Sequence, residues 1–292
     1  MSLTAKLRSR LSRKATAKAL GHRGGGARLK PGSAGGGTNV DPSSRSDGTR
    51  LQPCPPEKVE QVMRRLGVAI TGLELPAVEK IAQSREEDPF QVTIATLLSA
   101  RTQDATTYAA SERLFKRAAT PHAMSKLTVK QIEKLIYPVS FYRYKARYIK
   151  ATCAKLMKDF AGKTPSTMDD LLTLPGVGRK TANLVLILAY ESQKNICVDT
   201  HVHRISNRLG WVRTKTPDET EQALYRAIEP RWWPYINLYL VTWGQHVCRP
   251  VYPRCPACAI KDLCPQIGVT AVSKTLPESY PLDPAIASES GT

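Results

Sequence analysis

The chain turns at Leu174-Pro175-Gly176-Val177-Gly178-Arg179-Lys180-Thr181-Ala182, between a short helix predicted for 169–174 and a strongly apolar helix predicted for 181–190. Two glycines allow the backbone to turn tightly and to approach a ligand closely. The free N–H groups at the start of the second helix would then face outward, where they can bind an anion. The segment predicts a helix-hairpin-helix, and on duplex DNA the anion would be a backbone phosphate. An ordinary turn between two core helices is the alternative.

Apolar periodicity on both sides of this hairpin is helical. Stripes at helical spacing are formed by Phe90, Ile94, Leu97 and Leu98, by Ile149, Cys153, Leu156 and Phe160, and by Ile236, Leu240, Trp243 and Val247. Thr128 is placed to cap one helix, and Thr216-Pro217-Asp218-Glu219 has the pattern of a capping box with proline at the first helical position. Short β-like runs are scarce, so the sequence predicts an all-α protein.

Two side chains near the hairpin are candidates for chemistry. Lys180 falls in the first turn of the second helix, where the helix dipole and the neighbouring Arg179 both disfavour a protonated amine. Lys180 could therefore act as a neutral nucleophile, and a solvated surface lysine is the alternative. Asp199 precedes a helix through Asn207 and Leu209 and is placed as its N-cap. Because capping N–H groups keep a carboxylate ionised, the cap is compatible with a catalytic role.

Four cysteines late in the chain have the spacing Cys248-x6-Cys255-x2-Cys258-x5-Cys264. An iron–sulfur cube needs four cysteine sulfurs around one centre, whereas structural zinc commonly uses two short Cys-x2–4-Cys clips. Only the Cys255–Cys258 pair forms such a clip, so the spacing favours [4Fe–4S] over zinc. Two disulfides are disfavoured, because the chain has seven cysteines and we expect no secretory leader. The remaining cysteines are predicted to be ordinary small apolar residues: Cys54, Cys153 and Cys197.

The charge of the chain indicates a polyanionic partner. Its 292 residues include 43 Lys and Arg against 25 Asp and Glu, a formal net charge of +18, which favours nucleic acid over an anionic membrane surface. Residues 1–54 are rich in Gly, Ser, Arg and Lys and are predicted to be a disordered basic tail that raises DNA affinity; a mitochondrial transit helix is the alternative. Residues 269–292 are predicted to be a flexible tail. No run of eighteen apolar residues occurs, so no membrane span is expected.

The hairpin from Leu174 to Ala182, the segment Val198 to His201 and the cysteine spacing together resemble the endonuclease III branch of the helix-hairpin-helix DNA glycosylases. The resemblance extends from about residue 56 to about residue 266. It implies two helical domains with a DNA-binding cleft between them. One would be a six-helix domain, 83–191, that carries the hairpin. The other would combine 55–82 with 192–268 and hold the [4Fe–4S] cluster.

The resemblance also implies an activity. Lys180 would be the Schiff-base lysine and Asp199 the catalytic carboxylate. The related adenine-specific branch lacks this lysine and mismatch-thymine relatives have a tyrosine there, so Lys180 favours a glycosylase with AP lyase activity. The implied substrates are oxidised or ring-saturated pyrimidines and abasic sites in double-stranded DNA, bound by a monomer. The implied location is the cytoplasm, on the nucleoid, of a bacterium, or the nucleus or mitochondrion of a eukaryote. A monofunctional glycosylase and a non-enzymatic iron–sulfur DNA-binding protein are the alternatives.

Two further segments resemble family loops that enter the DNA. Leu97 to Asp104 resembles the segment that supplies a residue to the gap left by the flipped base, and Arg101 stands where many relatives have glutamine. Val139 to Tyr142 resembles the loop whose apolar side chain wedges into the base stack. Phe141 is the candidate wedge, and a buried core aromatic is the alternative. The other predicted DNA contacts are Gly176, Gly178, Arg179, Arg249 and Arg254.

Overall fold

The computed structural model describes residues 54–273, which belong to one compact unit. These residues form twelve α-helices and contain no β-strand, which confirms the predicted all-α class. The helices are α1 (Pro56–Ala69), α2 (Ala77–Ser84), α3 (Pro89–Ser99), α4 (Asp104–Arg117), α5 (Pro121–Ser125), α6 (Val129–Ile136), α7 (Tyr142–Asp159), α8 (Met168–Leu172), α9 (Arg179–Ala189), α10 (Thr200–Arg208), α11 (Pro217–Ala227) and α12 (Trp233–His246). Short 3-10 turns occur at Pro230–Trp232, Cys255–Ala257 and Lys261–Leu263.

Side-chain caps determine where several helices begin. At α6, Thr128 Oγ1 accepts from the Gln131 N–H (3.2 Å), and the Gln131 side chain accepts from the Thr128 N–H (2.8 Å). At α11, Thr216 Oγ1 accepts from the Glu219 N–H (3.2 Å), but the Glu219 carboxylate accepts from the Lys215 N–H (2.9 Å). The first box is therefore complete, whereas the reciprocal bond of the second is displaced by one residue.

A buried apolar cluster includes most of α9. This helix packs against α3, which in turn packs against α2 and α4, and α7 packs against α5 and α6. The predicted stripes on α3 and α7 are buried, except for Phe160, which is partly buried. Nearly every residue of α9 from Thr181 to Leu188 is buried, so packing fixes the position of this helix.

A second set of contacts joins the start of the described chain to its end. Helix α12 packs against α10 and α1, and Arg65 on α1 pairs with Asp262 in the last 3-10 turn at 2.8 Å. The division into an 83–191 domain and a 55–82 plus 192–268 domain stays a prediction. None of the described helices is both long and apolar enough to cross a membrane. The predicted tails lie outside the described residues, apart from Cys54 and residues 269–273.

Candidate active site and DNA interface

The two glycines of the hairpin differ in backbone conformation and in the space around them. Gly176 has φ +79°, and a Cβ there would lie 2.9 Å from the Tyr148 ring, so both backbone conformation and space require glycine. Gly178 is the N-cap of α9 with φ −98°, and a Cβ there would meet nothing within 4 Å. Thr152 on α7 anchors the turn by donating to the Pro175 carbonyl (2.8 Å). The N terminus of α9 is therefore held in place while the space in front of it stays open.

A cleft with about 1530 Å³ of empty space, open to solvent, begins at this helix. Lys180, Asp199 and Arg101 all line it. Lys180 is half-buried and lies in the first turn of α9, as the sequence predicts, although the helix begins at Arg179, two residues earlier than expected. The thiol of Cys197 donates to the Lys180 carbonyl (3.4 Å), which holds the segment leading to Asp199 beside that turn. The structure thus brings the two predicted catalytic residues to one cleft.

Asp199 caps α10, as its position in the sequence predicts. Its Oδ1 accepts from the N–H groups of His201 (2.8 Å) and Val202 (2.9 Å). Within the described residues Oδ2 has no recorded hydrogen-bond partner, so this oxygen remains available at the cleft. The cap fixes the orientation of the Asp199 carboxylate and leaves one of its oxygens free to accept a hydrogen bond.

Arg179 has a partner that the sequence does not indicate. Its guanidinium group makes a bidentate ion pair with Glu221 on α11, with N–O distances of 2.7 and 3.1 Å. Glu221 is 3% exposed and also lines the cleft. This contact raises the pKa of Arg179, chiefly through the hydrogen bond to Glu221. The charge of Arg179 is therefore compensated by the carboxylate of Glu221.

Asp104 joins three helices at the cleft and was not predicted as a site residue. Its Oδ2 accepts from the Ala77 N–H at the start of α2 (2.8 Å) and from Gln245 Nε2 on α12 (3.0 Å). All three residues line the cleft. No sequence pattern reveals this contact, because the partners lie on helices far apart in the chain.

Arg101 and Phe141 are in contact, although they belong to separate loops. The Arg101 guanidinium carbon lies 5.9 Å from the Phe141 ring centroid, within the range of a cation–π contact. Both residues have positive φ, +55° and +56°, respectively. Phe141 is 57% exposed, so the alternative of a buried core aromatic is wrong. The wedge and gap-filling roles stay predictions.

The four late cysteines line one small cavity. The described residues contain no group of three or more His, Cys, Asp or Glu that could hold a single metal ion. Thiols spread around a cavity are what a cube requires, since each sulfur binds a different corner. Burial raises the pKa of Cys258 to about 12, so the positive charge of a bound metal is needed to keep such thiols ionised. The donor set therefore fits a cluster.

Arg208 organises this loop and was missed by sequence reasoning. It is 9% exposed, and its guanidinium group donates to the carbonyls of Arg249 (2.7 Å) and Pro250 (2.8 Å) and to Cys248 Sγ (3.3 Å). Arg249 itself is exposed, whereas Arg254 is half-buried and donates to the His246 carbonyl (3.3 Å). Of the two predicted phosphate contacts, Arg249 is thus the more accessible.

Residues 94–230 match the family model of the HhH-GPD superfamily base excision DNA repair protein. The hairpin and its cleft therefore define a repair protein of this class. The chain is 44% identical over 180 residues to endonuclease III of Thermotoga maritima, covering 62% of this chain and 84% of that protein. It is 43% identical over 178 residues to endonuclease III-like protein 1 of Gallus gallus, covering 60% of this chain and 63% of that one.

Comparison with solved structures supports the same assignment. A trapped covalent intermediate of endonuclease III with DNA is similar with a TM-score of 0.64 and 31% identity, covering 73% of this chain and 96% of that one. A thermostable thymine-DNA glycosylase shares the fold, with 22% identity and a TM-score of 0.62. The matched region covers 72% of this chain and 96% of that protein. The chain belongs to the endonuclease III family. It is accordingly a base excision repair enzyme, a DNA glycosylase with AP lyase activity.

Proposed function

We propose that this chain removes oxidised or ring-saturated pyrimidines from double-stranded DNA and cleaves the strand 3′ to the resulting abasic site. The observation that carries the proposal is the placement of Lys180 and Asp199 on one cleft, each at the N-terminal end of a different helix. Helix N termini favour anions, so they suit both a DNA phosphate and a catalytic carboxylate.

The damaged base must first leave the duplex. Unstacking costs a few kcal/mol, and less at a damaged pair. Phe141 would enter the base stack, which its 57% exposure permits, while Arg101 would occupy the gap left by the extruded nucleotide. The open space before Gly178 would receive a phosphate on the N–H groups of α9. These contacts would deliver the sugar of the extruded nucleotide to the cleft.

Lys180 would then act as the nucleophile. Its uncharged Nζ attacks C1′ of the deoxyribose, the bond from C1′ to the base breaks, and the electron pair leaves with the base, which takes up a proton. Asp199 stabilises the positive charge that develops on the sugar, and its Oδ2 accepts the proton released by the lysine nitrogen. Trapping of an endonuclease III relative as a covalent intermediate with DNA supports this step.

Opening of the sugar ring prepares the second cleavage. The C1′–O4′ bond breaks as the lysine nitrogen forms a double bond to C1′, O4′ takes up a proton, and the adduct becomes a covalent imine. The imine acidifies the hydrogens on C2′, and removal of one of them forms a C2′–C3′ double bond as the 3′ phosphate leaves. Water then hydrolyses the imine, which releases an unsaturated aldehyde and restores Lys180. The same lysine therefore serves both the glycosylase and the lyase reaction.

Four thiolates would hold a [4Fe–4S] cluster: those of Cys248, Cys255, Cys258 and Cys264. The cluster would supply structure to the loop. Arg208 would support the same loop from inside by holding the carbonyls of Arg249 and Pro250. Arg249, which is exposed, would then be presented to a phosphate.

Borohydride trapping tests the proposal directly. Hydride reduces the imine to a stable amine, so the wild-type chain should become joined to a duplex with one abasic site, and Lys180→Ala should abolish the product. Lys194→Ala, which changes an exposed lysine beyond the end of α9, is the matched control and should trap normally. Trapping by Lys180→Ala at the wild-type level would show that the lysine assignment is wrong. Base release that leaves the abasic strand intact until alkali is added would indicate a monofunctional enzyme.

Duplexes that each carry a single lesion determine the substrate range. We expect cleavage of oxidised pyrimidines and abasic sites by a monomer, and no activity on undamaged DNA. The enzyme would act wherever genomic DNA is kept: the nucleoid of a bacterium, or the nucleus or mitochondrion of a eukaryote. Equal activity on oxidised purines would contradict the proposed specificity.

A further inference from the structure

A buried amine lies behind the loops that carry Arg101 and Phe141. Lys145 on α7 is 7% exposed, and its Nζ donates to the carbonyls of Leu98 (2.8 Å) and Ala100 (2.6 Å) and to Thr102 Oγ1 (3.1 Å). The two carbonyls stand at the C-terminal end of α3, where a cation is favoured by the helix dipole. The ammonium group therefore determines how the chain leaves α3.

Thr102 carries this support to the second loop. Its Oγ1 accepts from Lys145 and from the Ser140 N–H (3.2 Å), and it donates to the Ala100 carbonyl (3.3 Å). The hydroxyl group thus uses its donor and both of its acceptor sites. One ammonium group and one hydroxyl group connect the loop before α4 with the loop before α7.

These loops need such support because their exposed residues are strained. Arg101 and Phe141 both have positive φ, which non-glycine residues adopt only where the surroundings hold them. Their side chains lie against each other, with 5.9 Å from guanidinium carbon to ring centroid. Burial lowers the pKa of Lys145 to about 8, in keeping with an ammonium group withdrawn from water. An uncharged side chain of similar length would fill the same space without making these hydrogen bonds.

We propose that Lys145 is a positioning residue for base extrusion: its ammonium group holds Arg101 and Phe141 side by side, so that both enter the duplex together. This inference rests on the proposed function, in which these two side chains open the base stack. Lys145 itself touches neither the DNA nor the reacting sugar. Its loss should therefore impair opening of the duplex and spare the chemistry at Lys180.

The same helix offers a matched control. Lys150, one turn further along α7, donates through its Nζ to the carbonyls of Ser125 and Leu127 at the end of α5. It makes the same kind of contact as Lys145 but supports a different part of the fold. Lys150→Met should therefore lower stability in the same way as Lys145→Met without touching the two loops.

Single-turnover trapping on one abasic oligonucleotide, as a duplex and as a single strand, separates opening from chemistry. Only the duplex has a stack to open. Lys145→Met in the full-length holoenzyme should lower the ratio of duplex to single-strand rates about tenfold, equivalent to about 1.4 kcal/mol. Lys150→Met should leave this ratio unchanged. An equal loss on both substrates for Lys145→Met would reduce Lys145 to a structural role and overturn the inference.

A second variant keeps the test decisive if Lys145→Met does not fold. Thr102→Val preserves the hydrogen bonds from Lys145 to both carbonyls, so it should fold. It should also lower the ratio of duplex to single-strand trapping rates, and an unchanged ratio would refute the link between the loops.

Fluorescence of 2-aminopurine next to a tetrahydrofuran abasic analogue reports unstacking without any reaction. If wild type unstacks the base but never traps, the proposed chemistry fails, and the positioning role is still decided by comparing Lys145→Met with Lys150→Met.

Discussion

Substitution of Gly178 by alanine should separate DNA binding from stability at the hairpin. Gly178 is the N-cap of α9, with φ −98° and ψ 178°, a conformation that any residue adopts. A Cβ there would meet no protein atom within 4 Å. Any penalty from the added methyl group must therefore come from a ligand or from solvent.

The expected change in stability is the difference between two small terms. Alanine restricts the unfolded chain and so raises the free energy of unfolding by about 0.4–1 kcal/mol. Alanine is also a poorer N-cap than glycine, which lowers the free energy of unfolding by about 0.5–1 kcal/mol. Since the terms nearly cancel, we expect urea unfolding of Gly178→Ala to stay within about 0.5 kcal/mol of wild type.

DNA affinity should behave differently, because the methyl group would stand where a phosphate approaches the N–H groups of α9. Loss of one hydrogen bond to a charged group is worth about 1.5–3 kcal/mol, so the Kd for a duplex with a tetrahydrofuran site should rise roughly 10- to 100-fold. Fluorescence anisotropy at fixed salt measures it. Unchanged affinity in a normally stable Gly178→Ala protein would refute phosphate binding at this helix.

Gly176→Ala provides the contrasting variant two residues earlier. Gly176 has φ +79°, and the new Cβ would lie 2.9 Å from the Tyr148 ring. The positive φ alone costs about 1–3 kcal/mol, so this variant should lose stability as well as binding. If the two variants were equally stable, the structural distinction between the two glycines would be wrong.

Three other predictions test the surroundings of the cleft. Arg179→Met leaves the 3% exposed Glu221 without its partner, so the free energy of urea unfolding should fall by about 2–3 kcal/mol, less than for a fully buried pair because Arg179 is 44% exposed. The double variant Arg179→Met/Glu221→Gln should regain most of the lost stability. If Arg179→Met alone were as stable as wild type, the pairing would be contradicted. Cys258→Ser should lower bound iron and acid-labile sulfide together; full retention of both would exclude Cys258 as a ligand. Burial lowers the pKa of His201, so the unfolded chain binds more protons and stability should fall as the pH drops below about 6.5. Unfolding curves at successive pH values measure this effect, and His201→Gln should make the free energy of unfolding depend less on pH. The same slope in His201→Gln and wild type would argue against a contribution from His201.

Local features of this protein follow from the sequence alone, because their causes lie within one or two helical turns. Helical periodicity establishes the all-α class, the cap at Thr128 fixes the start of α6, and Asp199 caps α10 as expected. The tight turn at Gly176, with its positive φ, and the close spacing of the cysteines are equally short-range. The resemblance of these segments to the endonuclease III family is confirmed by the relatives and the solved structures.

Contacts between distant segments were decided only by tertiary packing. Periodicity shows which face of a helix is buried, but not which helix covers it or which charged groups then meet. Such contacts join segments far apart in the chain: the pairing of Arg179 with Glu221, the support of the cysteine loop by Arg208, and the three hydrogen bonds of Lys145. Each contact also withdraws a charge from water. Whether the new contacts offset the cost of desolvation depends on all the groups that surround the charge. The sequence alone thus predicted the candidate catalytic residues and determined their local geometry, and packing determined which side chains meet them.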